Sequence, residues 1–255
     1  MSLEDFSRLT DVDWRKNLEA EQGFFIAEGG KVIERAWALG YQIRDLVTTE
    51  KWMASISPDI LADANVHVYD EASLESLSGY RVHRGALASF ERKLLPGIAD
   101  VLNTSECVVV LDGLVDHENV GAIFRSAAGL GADAVILTED CADPLYRRSI
   151  KTSMGATLSI PFTRVQDGLQ ALNVLREHSF ETYAFTLSAQ EVLSVDSFTR
   201  GNKYALIFGS EGHGLSHEVS DASDLQLTIP MHKGTDSLNV AQAAAIVLWA
   251  HSARQ

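Results

Sequence analysis

The sequence predicts an α/β protein of two domains, residues 1–100 and 101–255, with a parallel sheet in the second. Three observations carry this expectation. Strand-like apolar runs alternate with helix-spaced segments along the chain, the pattern of α/β folds. Val108-Val109-Val110-Leu111 is apolar without interruption, as in a parallel strand buried on both faces. Between the halves, residues 91–105 hold Pro96 and Gly97 and no clear strand, which reads as a linker with a helical turn near 98–102.

The first half opens on a helix-like stretch, followed by the apolar strand Phe24 to Ala27. From Lys31 to Leu39, apolar Val32, Ile33, Ala36, Trp37 and Leu39 recur at helical spacing, and Gly40 stands where a helix stops. Ile43 to Val47 and Val66 to Tyr69 read as strands. Glu71 to Ser78 reads as a helix closed by Gly79, and Ala86 to Phe90 as a last strand. In the second half, strands are expected at 108–111, 134–137, 158–162, 182–187, 204–208 and 225–229. Helices are expected at 120–130, 145–153, 169–177 and 238–250.

Composition excludes several classes. Apolar residues make up 46% and charged residues 22%, the balance of a globular protein. Two cysteines are too few for a disulfide scaffold, so a reducing, cytoplasmic setting is expected. The N-terminus carries acids where a secretory leader would carry bases, and the longest apolar run, near 240–250, is too short to span a bilayer. No membrane partner is expected. The net charge is −14, with −6 on residues 1–105 and −8 on residues 106–255. Binding a phosphate backbone relies on Lys and Arg, so a nucleic-acid partner must meet a local basic patch on an acidic molecule.

Three segments of the second half have the makings of a site. In the first, a buried strand ends at Asp112-Gly113, a polar loop follows, and a helix starts near Asn119, with Arg125 six residues on. Loops at the carboxyl ends of parallel strands are where open α/β sheets bind ligands, and an arginine fork suits phosphate. Taken alone, the segment is also what a capping Asn119 and a solvated Arg125 would look like. In the second, the strand Ala205 to Phe208 runs into Gly209, Gly212 and Gly214, with Glu211 among the glycines. The glycine order is not that of a dinucleotide fingerprint, and no P-loop lysine is present. His213 and His217 are four apart but lack a convincingly spaced third ligand, so no metal is expected. In the third, Ile229-Pro230-Met231 leads through a loop to a helix with Ser237 or Asp236 as N-cap and Asn239 in its first turn. From Val240 to Ala250 only Gln242 is polar. A helix apolar on every side must be buried all round, which points to a two-fold subunit interface.

Together, in this order, the three segments resemble the motifs of the SpoU (TrmH-like) RNA ribose methyltransferases of the SPOUT superfamily. The likeness rests on N-x-G-x-x-x-R at Asn119–Arg125, F-G-S-E-G-H-G at Phe208–Gly214 and I-P-M…S-L-N-V at Ile229–Val240. Asp143 to Ala156 is similar to the family's segment between motifs, and Ser78 to Phe90, more loosely, to the small α/β RNA-binding domain many members carry. One departure is Lys233, where many members have glycine; Gly234 comes next.

The resemblance implies a methyltransferase domain with a deep trefoil knot, a homodimer, and S-adenosyl-L-methionine as cofactor. The cofactor would lie against Leu187, Gly209, Ile229, Met231 and Leu238. Arg125, Asn119, Glu211, Ser237 and Asn239 would form the catalytic set, and Arg81, Arg84, Arg147 and Arg148 would contact RNA. The implied reaction methylates a ribose 2′-hydroxyl of structured RNA, ribosomal RNA in preference to transfer RNA. Arg125 is better cast as a stabiliser than as a base, because a guanidinium stays protonated. Arg81, His83, Arg84, Arg92 and Lys93 form the best basic cluster of the first half. Two other classes stay open: a catalytically silent RNA-binding protein on the same fold, and an unrelated α/β enzyme binding another nucleotide at the 209–214 loop.

Overall fold

The computed structural model of the chain describes residues 3–7, 9–11, 18–82, 85–199, 201–232 and 234–253. They form two compact units, Met1–Leu94 with Asp143–Leu158, and Leu95–Ala142 with Ser159–Gln255. The segment Asp143–Leu158, which the sequence assigns to the second domain, packs within the first unit.

In the first unit, β1 (Phe24–Glu28), β2 (Ile43–Thr48), β3 (Asn65–Val68) and β4 (Ala86–Glu91) form a sheet in the order β1-β4-β2-β3. β4 is antiparallel to both neighbours, whereas β2 and β3 are parallel. The helices are α1 (Gly30–Ala38), α2 (Glu50–Met53), α3 (Pro58–Asp63), α4 (Glu71–Ser78) and, from the inserted segment, α7 (Arg147–Thr152). Helix α1 buries Val32, Ile33 and Ala36, the stripe its periodicity predicts. Helix α4 ends on Gly79, which takes the left-handed conformation of a helix stop. Helices α2 and α3 are too short for a periodic signal, although Ser57 before Pro58 is a start signal and Ser57 does cap α3. Phe6, Phe24, Ile26, Val47, Leu74 and Leu87 close one core cluster. Phe25 is stacked on Phe90 at 5.5 Å and meets Tyr41 edge-on at 5.2 Å.

One polar cluster holds the inserted segment. Glu28, at the end of β1, is buried and accepts from Arg147 Nη1 at 2.9 Å, Lys151 Nζ at 3.1 Å and Tyr80 Oη at 3.0 Å. Burial by itself raises the Glu28 pKa. The Lys151 hydrogen bond and the Lys151 and Arg147 charges outweigh it and hold the carboxyl below its ordinary value. A carboxylate with a lowered pKa contributes stability that is complete above the unfolded value and is lost as pH falls through the folded one. Glu28→Gln keeps the shape but leaves the Arg147 guanidinium without its counter-charge. Losing one partner of a buried pair costs about 3–5 kcal/mol, so the urea midpoint of Glu28→Gln at pH 7 is expected to fall accordingly. An unchanged midpoint would mean that water already screens the cluster.

In the second unit, β5 (Cys107–Asp112), β6 (Ala134–Thr138), β7 (Phe162–Val165), β8 (Phe180–Phe185), β9 (Glu191–Val192), β10 (Lys203–Gly209) and β11 (Leu225–Thr228) form one sheet. The order is β7-β6-β5-β10-β8-β11-β9, and every pairing is parallel. β5, β6 and the greater part of β10 are buried, as uninterrupted apolar runs require. The strand expected at 158–162 starts instead at Phe162. Pro161 has no N–H to give a ladder; its carbonyl accepts from Val135 N at 3.0 Å, and the strand begins after it.

The helices of this unit are α5 (Ile98–Asn103), α6 (His117–Gly129), α8 (Gly168–Glu177), α9 (His217–Ala222) and α10 (Val240–Ser252). Two starts differ from expectation. Asp116, not Asn119, caps α6; its carboxylate accepts from the amides of Glu118 and Asn119 at 2.7 and 2.9 Å. Asn239, not Ser237 or Asp236, caps α10, accepting from Ala241 N at 2.9 Å. Helix α10 is also not buried all round. Ala244, Val247, Leu248 and His251 are buried against the unit, while Gln242, Ile246 and Trp249 lie along an exposed stripe.

Candidate active site

β10 enters the sheet late in the chain but lies between β5 and β8. Its last residue, Gly209, pairs with Asp112 at the end of β5, and Phe208 pairs with Phe185 at the end of β8. The carboxyl ends of β8, β10 and β11 therefore face one side, where open parallel sheets hold ligands. A cavity of about 510 Å³ opens there. Its walls come from residues 185–188, 208–215, 227–229 and 237–240, with Met231 and Ala243. That volume lies within the ~300–1,000 Å³ of sites for small organic ligands.

The glycine segment shapes the floor. Ser210 and Gly214 form a β-bridge, and Gly214 N donates to Ser210 O at 2.9 Å. The turn folds so tightly onto Gly209 that a Cβ there would lie 2.2 Å from Gly214 C and 2.3 Å from Leu215 N. Gly214 has φ +67°, a conformation side chains disfavour. Gly209 thus makes room for the turn's own backbone. The stacked rings of Phe185 and Phe208, 5.0 Å apart, add an apolar wall.

Leu187, Gly209, Ile229, Met231 and Leu238 all line this cavity, as do Glu211, Ser237 and Asn239. At its rim three distant segments join. Asn119 donates its amide to the Glu211 carboxylate and accepts from Asn239 Nδ2 at 2.9 Å. Asn239 uses its own carbonyl oxygen as the α10 cap. The amides of Asn119 and Asn239 are thereby oriented, and the cap of α10 is tied to the carboxylate on the glycine turn.

Arg125 stands apart from this chain of bonds. It is exposed on α6, does not line the cavity, and has no hydrogen-bond or ion-pair partner among the described residues. Six helical residues separate it from Asn119 by about 9 Å along the axis and two-thirds of a turn around it, so the two side chains leave α6 in different directions.

The basic residues divide into engaged and free. Arg147 is not presented for a ligand: besides Glu28 it bonds Tyr80 Oη at 2.9 Å and Leu9 O at 3.0 Å. Arg92 pairs with Asp143 at 2.6 Å and donates to Phe24 O at 2.7 Å; Lys93 donates to Leu39 O and lies 4.4 Å over the Tyr41 ring. Arg148 is exposed without a partner among the described residues, and exposed Arg81 has only a 3.9 Å ion pair with Glu71. His83, Arg84 and Lys233 lie outside the described residues.

Sequence reasoning assigned no place to Asp112, where burial first, then the charges of Asp140 and Asp167, raise the pKa. Both cysteines are free and buried. Burial, followed by the Asp133 charge, pushes the Cys107 thiol up to about 12, and burial raises that of Cys141. Neither is a thiolate nucleophile at neutral pH. Among the described residues no group of three or more His, Cys, Asp or Glu side chains is placed to hold a metal ion. No described helix is long and apolar enough to cross a membrane.

Comparison with known proteins converges on one group. A family model described as the SpoU rRNA Methylase family matches residues 106–249. An uncharacterized tRNA/rRNA methyltransferase of Mycobacterium bovis is 38% identical over 251 residues, covering 97% of this chain and 87% of its own length. A 23S rRNA (guanosine-2′-O-)-methyltransferase, RlmB, of Yersinia pestis is 30% identical over 174 residues, covering 66% of this chain and 70% of its own. The crystal structure of an AdoMet-bound rRNA methyltransferase from Sinorhizobium meliloti has a similar fold, with TM-score 0.83 at 24% identity. The match spans 98% of this chain and 95% of that one.

Proposed function

The chain belongs to the SpoU rRNA methylase family, and from that premise we propose that it transfers the methyl group of S-adenosyl-L-methionine to a ribose 2′-hydroxyl of structured RNA, ribosomal RNA in preference to transfer RNA. The observation that carries this reading is the join of Asn119, Glu211 and Asn239, one residue from each sequence motif, at the rim of one cavity. The cavity suits the cofactor: it is of the right size class, apolar on one wall, and floored by a turn that a Cβ at Gly209 would obstruct. Gly209, Ile229 and Leu238 would hold the cofactor largely through backbone, with Leu187 and Met231 closing over it. Its sulfonium supplies an activated methyl group.

The protein's remaining task is to align one hydroxyl and ease the loss of its proton. Asn119 and Asn239 orient the Glu211 carboxylate, and Ser237 and Asn239 lie where the ribose would meet the cavity. Arg125, without a partner among the described residues, would bind the adjacent phosphate and stabilise the forming alkoxide. Of the arginines expected to contact RNA, Arg81 and Arg148 are exposed and would meet it.

Three finer points belong to the same reading. The chain acts as a homodimer, supported by the exposed stripe of α10 on which Ile246 is 39% and Trp249 58% exposed; a monomeric sedimentation coefficient would end this. The loops that wall the cavity belong to a trefoil knot, supported by the insertion of β10 between β5 and β8, with α10 returning to pack on α6 and β10. The protein works in the cytoplasm, a setting in keeping with two free cysteines.

The test uses the chain, methyl-labelled S-adenosyl-L-methionine and total RNA. A 2′-O-methyl group blocks alkaline cleavage at its own nucleotide. Label is therefore expected in alkali-stable dinucleotides, mainly from ribosomal RNA. Label only in mononucleotides would place the methyl on a base and overturn the ribose assignment.

A further inference from the structure

A second, smaller pocket of about 140 Å³ lies wholly within the first unit. It is walled by Thr49, Lys51, Trp52, Glu71, Leu74, Arg81, Val82 and Gly85, drawn from the residue after β2, from α2 and α4, and from the entry to β4. β2 belongs to the parallel pair of this sheet, and Thr49 follows its carboxyl end, where parallel strands present ligand-binding loops. Its volume falls short of the ~300 Å³ at which pockets for whole organic ligands begin. A group the size of a single heterocyclic base fits that volume.

The lining says which kind. Gly85 has φ +67°, and a Cβ on it would lie 1.9 Å from Trp52 Cγ and Cδ1, so the half-buried indole lies against bare backbone. An aromatic ring held in this way is a stacking platform. Two exposed cations flank it: Lys51, with Nζ 5.9 Å from the Trp52 ring, and Arg81, tied only loosely to Glu71 at 3.9 Å. Thr49 is buried, and among the described residues its Oγ1 has no hydrogen-bond partner. The neighbouring Thr48 hydroxyl, by contrast, is satisfied by Gly85 O at 2.9 Å. An unpaired buried hydroxyl calls for an explanation, and a bound polar group is one. An aromatic face, a spare hydroxyl, a carboxylate and two cations together match a nucleobase with its phosphates.

We propose that this pocket receives a single unstacked nucleobase of the RNA, stacked on Trp52, with Lys51 and Arg81 on the flanking phosphates. The proposal rests on the reading of the chain as an RNA-modifying enzyme and adds a recognition subsite separate from the methyl-transfer cavity. Glu71 and the Thr49 hydroxyl supply the hydrogen bonds to the edge of the base, and Glu71 frees Arg81 as it turns to the ligand.

The experiment titrates the full chain with single-stranded A, C and U decamers, a blunt RNA duplex, and free AMP, CMP, GMP and UMP, following tryptophan fluorescence and RNA anisotropy. At least one decamer is expected to quench fluorescence in the wild type, with the quench lost in Trp52→Phe while affinity is largely kept. Trp52→Ala is expected to weaken decamer binding about 5–150-fold, the range measured for removal of one stacking aromatic. The double variant Lys51→Gln, Arg81→Gln is expected to reduce the salt slope by roughly 1.4, about 0.7 per phosphate on single strands. Wild-type affinity and salt slope in Trp52→Ala and the double variant would overturn the proposal. Quenching by a free mononucleotide with unaltered RNA binding would reassign the pocket to free nucleotide. Should Trp52→Ala fail to fold, Trp52→Phe and the double variant decide. A wild type that methylates RNA while the variants bind normally sinks only the pocket. A wild type that neither methylates nor binds RNA sinks the function with it.

Discussion

Arg125→Ala is expected to lower methyl transfer by about 10²–10³-fold, the usual loss when one preorganised stabiliser of developing charge is removed, while S-adenosyl-L-methionine binding stays at wild-type strength. The split follows from position. Arg125 neither lines the 510 Å³ cavity nor bonds to Asn119, Glu211 or Asn239, so its removal leaves cofactor contacts intact. It is exposed, so truncation opens no cavity and costs little stability. Arg125→Lys keeps the charge but loses the planar fork, and should fall between the two. Turnover of labelled cofactor on RNA, set beside calorimetric titration of the cofactor, gives both readings. Wild-type turnover in Arg125→Ala removes Arg125 from the mechanism. Equal losses in turnover and cofactor affinity would place it at the cofactor instead.

Gly209→Ala is expected to act on the other quantity, weakening cofactor binding. Its new Cβ would fall 2.2 Å from Gly214 C and 2.3 Å from Gly214 O, backbone atoms that can yield only if the turn opens. Overpacking of this kind costs about 1–3 kcal/mol, and Gly209 also pairs with Asp112 in the middle of the sheet. We expect at least a tenfold weaker cofactor, roughly 1.4 kcal/mol, with a lowered melting temperature. Gly212→Ala is the matched control. It lies three residues away in the same turn, with nothing within 4 Å of its Cβ position, and should melt as the wild type does. Equal affinities in the two variants would show that the turn does not set the cofactor site.

The two variants act on residues of equal prominence in the sequence and very different settings in the fold. Both belong to motif segments. The glycine run was legible as a tight turn, but nothing local tells that Gly209 faces the backbone five residues ahead while Gly212 faces open space. The basic residues make the same point. Arg147 and Arg148 are neighbours of like chemistry, yet one is spent on Glu28 and Tyr80 and the other is exposed. Arg92 and Lys93, two of the five residues in the best basic cluster of the first half, are engaged with Asp143 and with Tyr41 and Leu39. Charge counts describe a segment, whereas pairing depends on what another segment brings within about 4 Å.

The three motif segments that the sequence singled out are brought together by the bonds of Asn119, Glu211 and Asn239. By itself the sequence determined the alternation of elements, the buried strands of the second sheet, and which residues carry the family's motifs. The first two follow from local periodicity, which tells how a segment divides its faces; the last follows from resemblance to a known family. Only the tertiary structure decided that β10 lies between β5 and β8, and that Asn239 rather than Ser237 caps the last helix. It also brought Asn119 and Glu211, 92 residues apart, into contact. Strand order and side-chain partners are set by which surfaces meet once the chain is folded, and that information is not held in any one segment.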